Sequence, residues 1–359
     1  GSVDEKSAVC HAKPNETNIK SWVGGRRTTP WPTPPTPAFA AAGFDDSAWR
    51  TLNVPHDFVI EGDFSSNVTD GGKHGYLKRE QPGWYRKHFT VPSDWLRRVE
   101  GDSIWLRFDG VFHITEAFLD GVAIKLGRGS KSGYTSFTTS DLGVALRTGG
   151  GNHNTEHVLA LRVDASFGSG HWYEGGGIYR NTWILTAPSL HVANYGLFVP
   201  TIVADDRTDS TSSSSSRVVN ASVEIVNSAT SATTGVVKVS ALWTMWENFG
   251  DRKEVGKWSS APVVAPPAGG TLILRKILQA SSGYTPKLWT IQDSKLYTVG
   301  VEIVVNAVSI DAVNATTGFR SAKFHANTGF ALNGKRVILR GFSNHNSFAG
   351  VEGEAGVCM

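Results

Sequence analysis

The sequence predicts an all-β fold, and three observations carry this prediction. From residue 84 onward, short runs of β-branched and aromatic residues recur between clusters of Gly, Asn, Asp and Ser, at about the spacing of sandwich strands. A sustained helical repeat is nearly absent, and only residues 94–99 suggest a helical turn. The chain of 359 residues also contains 12 Trp, 39 Gly and 15 Pro. This composition is typical of a loop-rich fold with a filled core and excludes a disordered chain.

The first block of strands is predicted to contain a hairpin. Asp120 and Gly121 separate the apolar residues 118–119 from residues 122–124. Because Asp-Gly favours the tight turn that joins two antiparallel strands, we expect a strand on each side of this pair. The clearest strand-like runs of the block lie at residues 103–108, 116–119, 157–163 and 182–185.

A second block of strands begins after Pro188. Together with weaker runs, its strand-like segments give about seven strands, the number expected of an immunoglobulin-like sandwich. The Ser-rich run at 210–216 is predicted to be a solvated loop within this block. Farther along, Asn333 and Gly334 predict another hairpin. The clearest runs of the second block lie at residues 192–203, 218–226, 236–246, 270–278 and 295–305.

Charge and hydropathy exclude two classes of partner. The chain carries 35 Lys and Arg against 32 Asp and Glu, a net charge of +3, which offers no electrostatic footprint for nucleic acid. No stretch reaches the ~18 apolar residues of a membrane-spanning helix, so we expect no membrane partner. The 11 His show no metal-ligand spacing. We expect neither a metal nor a cofactor.

The compartment is indicated by cysteines and by glycosylation patterns. Cys10 and Cys358 lie at opposite ends of the chain, which predicts free thiols and not a disulfide framework. Acceptor tripeptides of the form Asn-x-Ser/Thr also arise by chance in a chain rich in Asn and Thr, and that alternative stays open. The acceptor tripeptides favour a secreted or lysosome-like compartment. The four tripeptides begin at Asn15, Asn67, Asn220 and Asn314.

Four separated segments resemble glycoside hydrolase family 2. Residues 54–64, with Pro-His-Asp and a later Glu-Gly, and residues 83–89 are similar to the amino-terminal region of that family. Within the family, the first segment resembles the β-galactosidase branch more than the β-glucuronidases. Residues 162–180 are similar to the strand that closes the family's sugar-binding sandwich, and residues 324–345 resemble the entry into its catalytic barrel.

The resemblance implies three modules. These are a jelly-roll, galactose-binding-like sandwich over residues 1–190, an immunoglobulin-like sandwich over 191–320, and the first strands of a truncated (β/α)8 TIM barrel over 321–359. Family members carry their two catalytic glutamates on later barrel strands, and a retaining glycosidase needs two carboxyl groups about 5 Å apart. We therefore expect no catalytic residue in this chain, and inactivity in isolation.

Three residues are candidates for substrate binding. The resemblance implies that Asp164 reaches the sugar subsite of the barrel, and the alternative is a loop Asp that caps its own backbone. His345 matches a family His at the end of the first barrel strand, but it is flanked by Asn344 and Asn346 where the family more often has Arg and Glu. The alternative there is an exposed loop His. Trp172 can stack on a sugar ring or belong to the core.

The expected function follows from these modules. The chain is predicted to be the non-catalytic amino-terminal part of a β-galactosidase-like hydrolase that cleaves terminal β-galactosides only when the barrel is present. The expected partner is a β-galactoside or other carbohydrate, with self-association through the surface left by the missing barrel as a further possibility. One alternative is a stand-alone, lectin-like carbohydrate-binding module. Another is a degenerate chain that serves only in interactions.

Overall fold

A computed structural model describes residues 8–10, 37–63, 77, 81–92, 95, 102–148, 156–166, 173–203, 217–229 and 236–343. The chain forms two compact units and passes from the first to the second between Thr186 and Ala187. Both units are built from β-sheets, which confirms the predicted all-β class. The predicted domain boundaries at residues 190 and 320 stay predictions, and the predicted loop at 210–216 lies outside the described residues.

The first unit contains two sheets. In the larger, antiparallel sheet the strand order is β2-β1-β3-β8-β5-β6, and in the smaller sheet it is β7-β4-β9. A short helix, α1, covers Gly143–Thr148, and 3-10 turns cover Ala38–Ala40 and Arg128–Lys131. The described strands are β1 (Ala8–Cys10), β2 (Arg50–Leu52), β3 (Gly83–Thr90), β4 (Ser103–Phe108), β5 (Ile114–Leu119), β6 (Val122–Ile124), β7 (Phe137–Thr138), β8 (Glu156–Asp164) and β9 (Thr182–Ala187).

Alternating side chains of these strands form the core of the first unit. Because successive residues of a strand point to opposite faces, the apolar residues of β4 and β8 meet in one buried cluster. At the end of β5, Leu119 pairs with Val122 across Asp120 and Gly121, whose φ angles are 50° and 84°. These angles belong to the tight turn that Asp-Gly favours, and the predicted hairpin is confirmed.

Strand β3 is buried on both faces. Tyr85, 1% exposed, belongs to the core between the sheets, whereas Trp84, 4% exposed, lies on the opposite face. There the Trp84 ring stacks on Phe118 with centroids 6.1 Å apart and meets the edge of Phe39 at 5.6 Å. The 3-10 turn Ala38–Ala40 thus covers a sheet face that would otherwise be exposed.

A buried guanidinium ties this cover to the sheet. Arg86 on β3 has no exposed surface. Its Nε donates to Asp46 Oδ2 at 2.6 Å, and its Nη1 donates to the carbonyl oxygens of Phe39 at 2.7 Å and Ala41 at 3.0 Å. A buried charge is tolerated when it is paired and fully hydrogen-bonded. Arg86 therefore anchors residues 39–46, the segment that covers Trp84.

The Asp46 carboxylate has a second partner in His88. The Nε2 atom of His88 lies 3.0 Å from Asp46 Oδ2, and Nδ1 lies 3.3 Å from Glu156 Oε2. Burial disfavours both charges, but hydrogen bonds from Arg86 and His88 hold the pKa of Asp46 below its ordinary value. Burial likewise opposes protonation of His88, and its bonds to Asp46 and Glu156 nevertheless raise the pKa of its ring.

The second unit is a two-sheet sandwich of the predicted immunoglobulin-like kind. One sheet has the order β10-β12-β11 with β16 on β12, and the other has the order β14-β13-β17-β18 with β15 on β13. The described strands are β10 (Leu190–Phe198), β11 (Thr201–Val203), β12 (Arg217–Asn227), β13 (Lys238–Glu247), β14 (Glu254–Ser259), β15 (Val263–Val264), β16 (Thr271–Gln279), β17 (Tyr297–Val305) and β18 (Val308–Thr317).

A single apolar cluster fills this second sandwich. Along β12, every second residue from Val219 to Ile225 is buried, and these side chains pack against Trp243, Tyr297 and Phe319, none of which is exposed. A large, regularly alternating strand face of this kind supplies most of the stabilisation of a β-sandwich, because apolar surface leaves water. The strand runs predicted for this block are confirmed.

A small sheet follows the second sandwich. It consists of β19 (Ala322–His325), β20 (Gly329–Leu332) and β21 (Lys335–Arg336). Leu332 pairs with Lys335 across Asn333 and Gly334, which confirms the second predicted hairpin. The Asn333 side chain accepts a hydrogen bond from Ser321 N at 3.0 Å and donates to the Trp289 carbonyl at 2.9 Å. The bond to Trp289 fastens the hairpin to the loop that precedes β17.

Replacement of Arg86 by Met will lower the free energy of unfolding by about 3 kcal/mol, because the Asp46 carboxylate and the carbonyls of Phe39 and Ala41 lose their buried donor. Urea denaturation measures this change. Arg50→Met is the matched control. The ion pair of Arg50 with Glu61 is solvent-exposed, with side chains 51% and 41% accessible, and its loss will change stability by less than about 1 kcal/mol. Equal effects of the two substitutions would contradict the anchoring role of Arg86.

The stability of the first unit will depend on the protonation of His88. A raised folded-state pKa means that this contribution is complete below the ordinary His pKa of 6.5 and is lost as pH rises through the raised value. Wild type will therefore lose stability relative to His88→Gln over that range. The pKa of His88, followed by NMR, will fall in the Asp46→Asn variant. An unchanged His88 pKa in that variant would rule out the coupling.

Candidate functional site

Four loops meet at one end of the first sandwich, and we call this end the rim. It comprises residues 54–63, 110–114, 164–166 and 173–180. The loops share an end because β8 finishes where β5 begins, with Asp164 paired to Ile114. The last loop is held between two others by backbone hydrogen bonds. Their donor and acceptor pairs are His56 N to Ile178 O at 2.7 Å, Phe58 N to Gly176 O at 2.8 Å, and Phe112 and Gly177 in both directions at 2.9 and 2.7 Å.

The carboxylate of Asp57 lies at the centre of the rim. Asp57 is 9% exposed. Its Oδ1 accepts hydrogen bonds from Val59 N at 2.9 Å and Gly176 N at 3.0 Å, and its Oδ2 accepts one from the Tyr173 hydroxyl at 2.7 Å. Charge-assisted bonds of this kind are roughly twice as strong as neutral ones. Asp57 therefore clamps two loops whose residues lie more than 110 positions apart in sequence.

Two glycines allow the loop at residues 173–180 to approach the Asp57 carboxylate. Gly175 has φ +72°, and a Cβ atom there would collide with Asp57 Oδ2. Gly177 has φ +134°, and a Cβ atom there would lie 2.6 Å from the His56 carbonyl oxygen. Only glycine accepts both this backbone conformation and this closeness. Both glycines therefore let this loop pass close to Asp57 and to the His56 carbonyl.

His56 belongs to a chain of polar groups beside the clamp. Its Nδ1 lies 2.8 Å from the Tyr85 hydroxyl, and its Nε2 lies 3.2 Å from Glu61 Oε2. Glu61 is also paired with Arg50. Burial opposes ionisation of Glu61, but the hydrogen bonds from Arg50 and His56 hold its pKa below the ordinary value. A glycosidase acid needs the opposite shift, so Glu61 is suited to bracing the rim and not to proton transfer.

Asp164, the first predicted site residue, ends β8 on the rim. Its Oδ2 accepts a hydrogen bond from Arg162 Nη2 at 3.1 Å. Its Oδ1 accepts bonds from the Ser166 backbone N at 3.0 Å and from the Ser166 hydroxyl at 2.6 Å. The carboxylate therefore caps the backbone of its own loop, as one of the two alternatives for Asp164 predicts. Its contact with a sugar stays a prediction.

The other two predicted site residues cannot be placed on the rim. His345 and Trp172 both lie outside the described residues. Tyr173, which follows Trp172 in the sequence, is half-buried and donates its hydroxyl hydrogen to Asp57. The adjacent aromatic residues Trp84 and Tyr85 are buried on β3 and are unavailable to a ligand.

Sequence reasoning missed two rim residues. In the sequence, Asp57 stands out only as part of the Pro-His-Asp motif. An Asp side chain that accepts a hydrogen bond from the backbone N–H two positions ahead is nevertheless a known turn signal. His113 lies between Phe112 and β5, with its ring stacked on Phe112 at 4.8 Å. The Nδ1 atom of His113 is buried and makes no hydrogen bond among the described residues. No spacing or motif marks this histidine in the sequence.

Within the described ranges, no three His, Cys, Asp or Glu side chains come together as a metal site. The same part of the chain contains no helix with the length and apolar character needed to cross a membrane. Among the described carboxylates of the rim, Asp57, Glu61 and Asp164 accept the hydrogen bonds given above, and Glu174 accepts one from the Tyr134 hydroxyl at 2.9 Å. The described rim is thus a braced polar surface.

Comparison with curated proteins identifies relatives over most of the chain. No protein-family model matches the sequence. The β-galactosidase BoGH2A of Bacteroides ovatus is 32% identical over 308 residues, which is 86% of this chain and 32% of that protein. A β-galactosidase of Thermoanaerobacter pseudethanolicus is 26% identical, and a β-glucuronidase of Formosa agariphila is 24% identical, each over 86% of this chain. The chain spans about a third of the length of these relatives.

Solved structures share the fold. A glycosyl hydrolase family 2 member from Bacteroides cellulosilyticus superposes with a TM-score of 0.68 at 24% identity, over 94% of this chain and 38% of that one. The β-glucuronidase of Bacteroides uniformis superposes with a TM-score of 0.66 at 23% identity, over 95% of this chain and 35% of that one. Both likenesses show the fold.

Replacement of Asp57 by Asn will lower the free energy of unfolding by about 2 kcal/mol, because two backbone N–H donors lose a charged acceptor and face an amide that is itself a donor. Hydrogen exchange of the Val59 and Gly176 amides will accelerate. Tyr173→Phe removes a single donor and will cause a smaller loss of about 1 kcal/mol. Unchanged exchange at both amides in Asp57→Asn would contradict the clamp.

Proposed function

Because this chain is homologous to the glycoside hydrolases of family 2, we propose that it forms the non-catalytic, amino-terminal part of a β-galactosidase-like hydrolase. The observation that carries the proposal is the alignment of 86% of this chain with about a third of a β-galactosidase. In this proposal a catalytic barrel hydrolyses terminal β-galactosides, and the two sandwiches of this chain precede that barrel.

A galactoside is the favoured substrate class. The relative that is 32% identical is named a β-galactosidase, whereas the relatives from Formosa agariphila that are named β-glucuronidase or putative β-glucuronidase are 24% to 27% identical. The Pro-His-Asp segment at residues 55–57 also resembles the β-galactosidase branch. In the structure this segment supplies the Asp57 clamp and the His56 bridge. The resemblance therefore lies in residues that shape the rim.

The described carboxylates of the rim support a non-catalytic role. Glycoside cleavage by retention needs one carboxylic acid with a raised pKa and one nucleophilic carboxylate about 5 Å away. Asp57 is buried under three hydrogen bonds, and the pKa of Glu61 is lowered by its partners Arg50 and His56 despite burial. Both groups stabilise loops. They are poor candidates for proton transfer.

We further propose that Asp164 presents an oriented carboxylate to a sugar hydroxyl in the complete enzyme. A carboxylate has about four lone-pair positions. Three donors from Arg162 and Ser166 occupy three of them, which leaves one for a ligand. The proposal extends, by family resemblance alone, to His345 at the barrel entry and to Trp172 as a stacking surface.

A stand-alone carbohydrate-binding module is the second candidate. It is favoured by the separate, buried core of the first unit, which does not need a barrel to exclude water from its sheets. Against it stands the engagement of the described rim carboxylates by protein donors. The two candidates differ in whether the chain binds sugar in the absence of a barrel.

The purified chain will not hydrolyse a chromogenic β-galactoside, because a retaining mechanism needs two suitably placed acids. Release of the chromophore is followed spectrophotometrically, with a full-length family 2 β-galactosidase as the positive control. Turnover above the blank that co-purifies with the folded chain would overturn the proposal.

Calorimetric titration with galactose and lactose separates the two candidates. We expect flat heats at millimolar sugar for the wild-type chain. Saturable heats that disappear in the Asp164→Ala variant would favour the stand-alone module. Glucose serves as the matched sugar control, since it differs from galactose at one hydroxyl.

A further inference from the structure

The acceptor tripeptide at Asn314 lies on an exposed strand of the second unit. Residues Asn314, Ala315 and Thr316 occupy the middle of β18, and the side chains of Asn314 and Thr316 point to the same, exposed face. Strand β18 is at the end of its sheet, paired only with β17 among the described strands. The amide of Asn314 makes no side-chain hydrogen bond within the described part of the chain. Its nitrogen is therefore available for chemistry.

Asn314 shares the exposed face of its sheet with an aromatic side chain of β13. Asn314 pairs with Gly300 on β17, and Gly300 pairs with Thr244 on β13. A Cβ atom at Gly300 would lie 2.6 Å from Asn314 Oδ1 and 2.9 Å from Cζ3 of Trp246. The asparagine amide and the six-membered ring of Trp246 thus meet above a residue that has no side chain. Any larger residue at Gly300 would separate them.

The indole of Trp246 offers an aromatic surface next to Asn314. Trp246 is half-buried, and the guanidinium of Arg252 lies 5.5 Å from its ring centroid, which fixes the indole on the sheet surface. Aromatic rings present a flat, polarisable face to the C–H groups of a pyranose ring. A group attached to the Asn314 nitrogen would therefore contact Trp246 without movement of the strands.

We propose that Asn314 is an N-glycosylation site whose first sugar packs against Trp246. The amide nitrogen of Asn314 forms a bond to C1 of an N-acetylhexosamine carried on a polyprenyl diphosphate. The C1–O bond to the diphosphate breaks, the amide loses a proton, and the polyprenyl diphosphate leaves. Thr316 supplies the hydroxyl that the acceptor pattern requires.

A glycan here would cover part of the exposed face of this sheet. The outer side of β18 already approaches β10, where Asp311 Oδ2 accepts a hydrogen bond from Val192 N at 2.8 Å. The inference is independent of the galactosidase proposal, since it rests on β13, β17 and β18 of the second unit.

The full chain, secreted from a eukaryotic cell line, tests the site. Peptide-N-glycosidase in heavy-oxygen water converts a glycosylated Asn to labelled Asp, and we expect the label at Asn314. The label will be absent from Asn314→Gln and from Thr316→Ala. Asn306, exposed in the β17–β18 turn but followed by Ala307 and Val308, is the matched control and will stay unlabelled. An unlabelled Asn314 in the secreted wild-type chain would overturn the proposal.

Thermal unfolding tests the contact with Trp246. Removal of the glycan will lower the Tm of the wild-type chain by about 1 to 2 °C. This shift will vanish in Trp246→Leu and persist in Trp246→Phe, which keeps an aromatic ring. The Asn314→Asp variant, never glycosylated, gives the reference Tm for the enzyme-treated protein. An equal shift in the Leu and Phe variants would contradict the packing of the sugar on Trp246.

Discussion

The Asp57 carboxylate is the interaction on which the rim of the first sandwich depends. It gathers donors from its own loop and from a loop that follows β8, and it is nearly excluded from solvent. Removal of such a buried acceptor leaves N–H groups without a partner, which is more unfavourable than the loss of an exposed bond. This arrangement also requires glycine at positions 175 and 177. They let the backbone approach the carboxylate and the His56 carbonyl where any side chain would collide.

The same logic governs the other face of the large sheet. Strand β3 is buried on both sides, so its polar residues need partners within the protein. Arg86 finds them in Asp46 and in the carbonyls of the covering segment, and His88 shares Asp46. The ion pair thus holds an apolar cover over Trp84. Electrostatics and hydrophobic burial support one another in this arrangement, because the cover also keeps water from Arg86.

These features favour a scaffolding role over a chemical one. The described acidic groups of the rim are held in hydrogen bonds, and the pKa of Glu61 is lowered. The relatives that align with the chain are about three times its aligned length. The Asp164 carboxylate is likewise held at the end of β8, by Arg162 and Ser166.

The sequence by itself determined the strands, both tight hairpins and the family resemblance. Alternation of apolar residues and the pairs Asp120-Gly121 and Asn333-Gly334 are local signals, and local backbone preferences suffice to read them. Only the tertiary structure decided the partners of Asp57, Arg86 and Trp246. Tyr173 is 116 residues from Asp57, and Asp46 is 40 residues from Arg86. Such contacts arise when strands distant in sequence become neighbours in a sheet. The residues next to a side chain in the sequence do not indicate which distant residue will contact it.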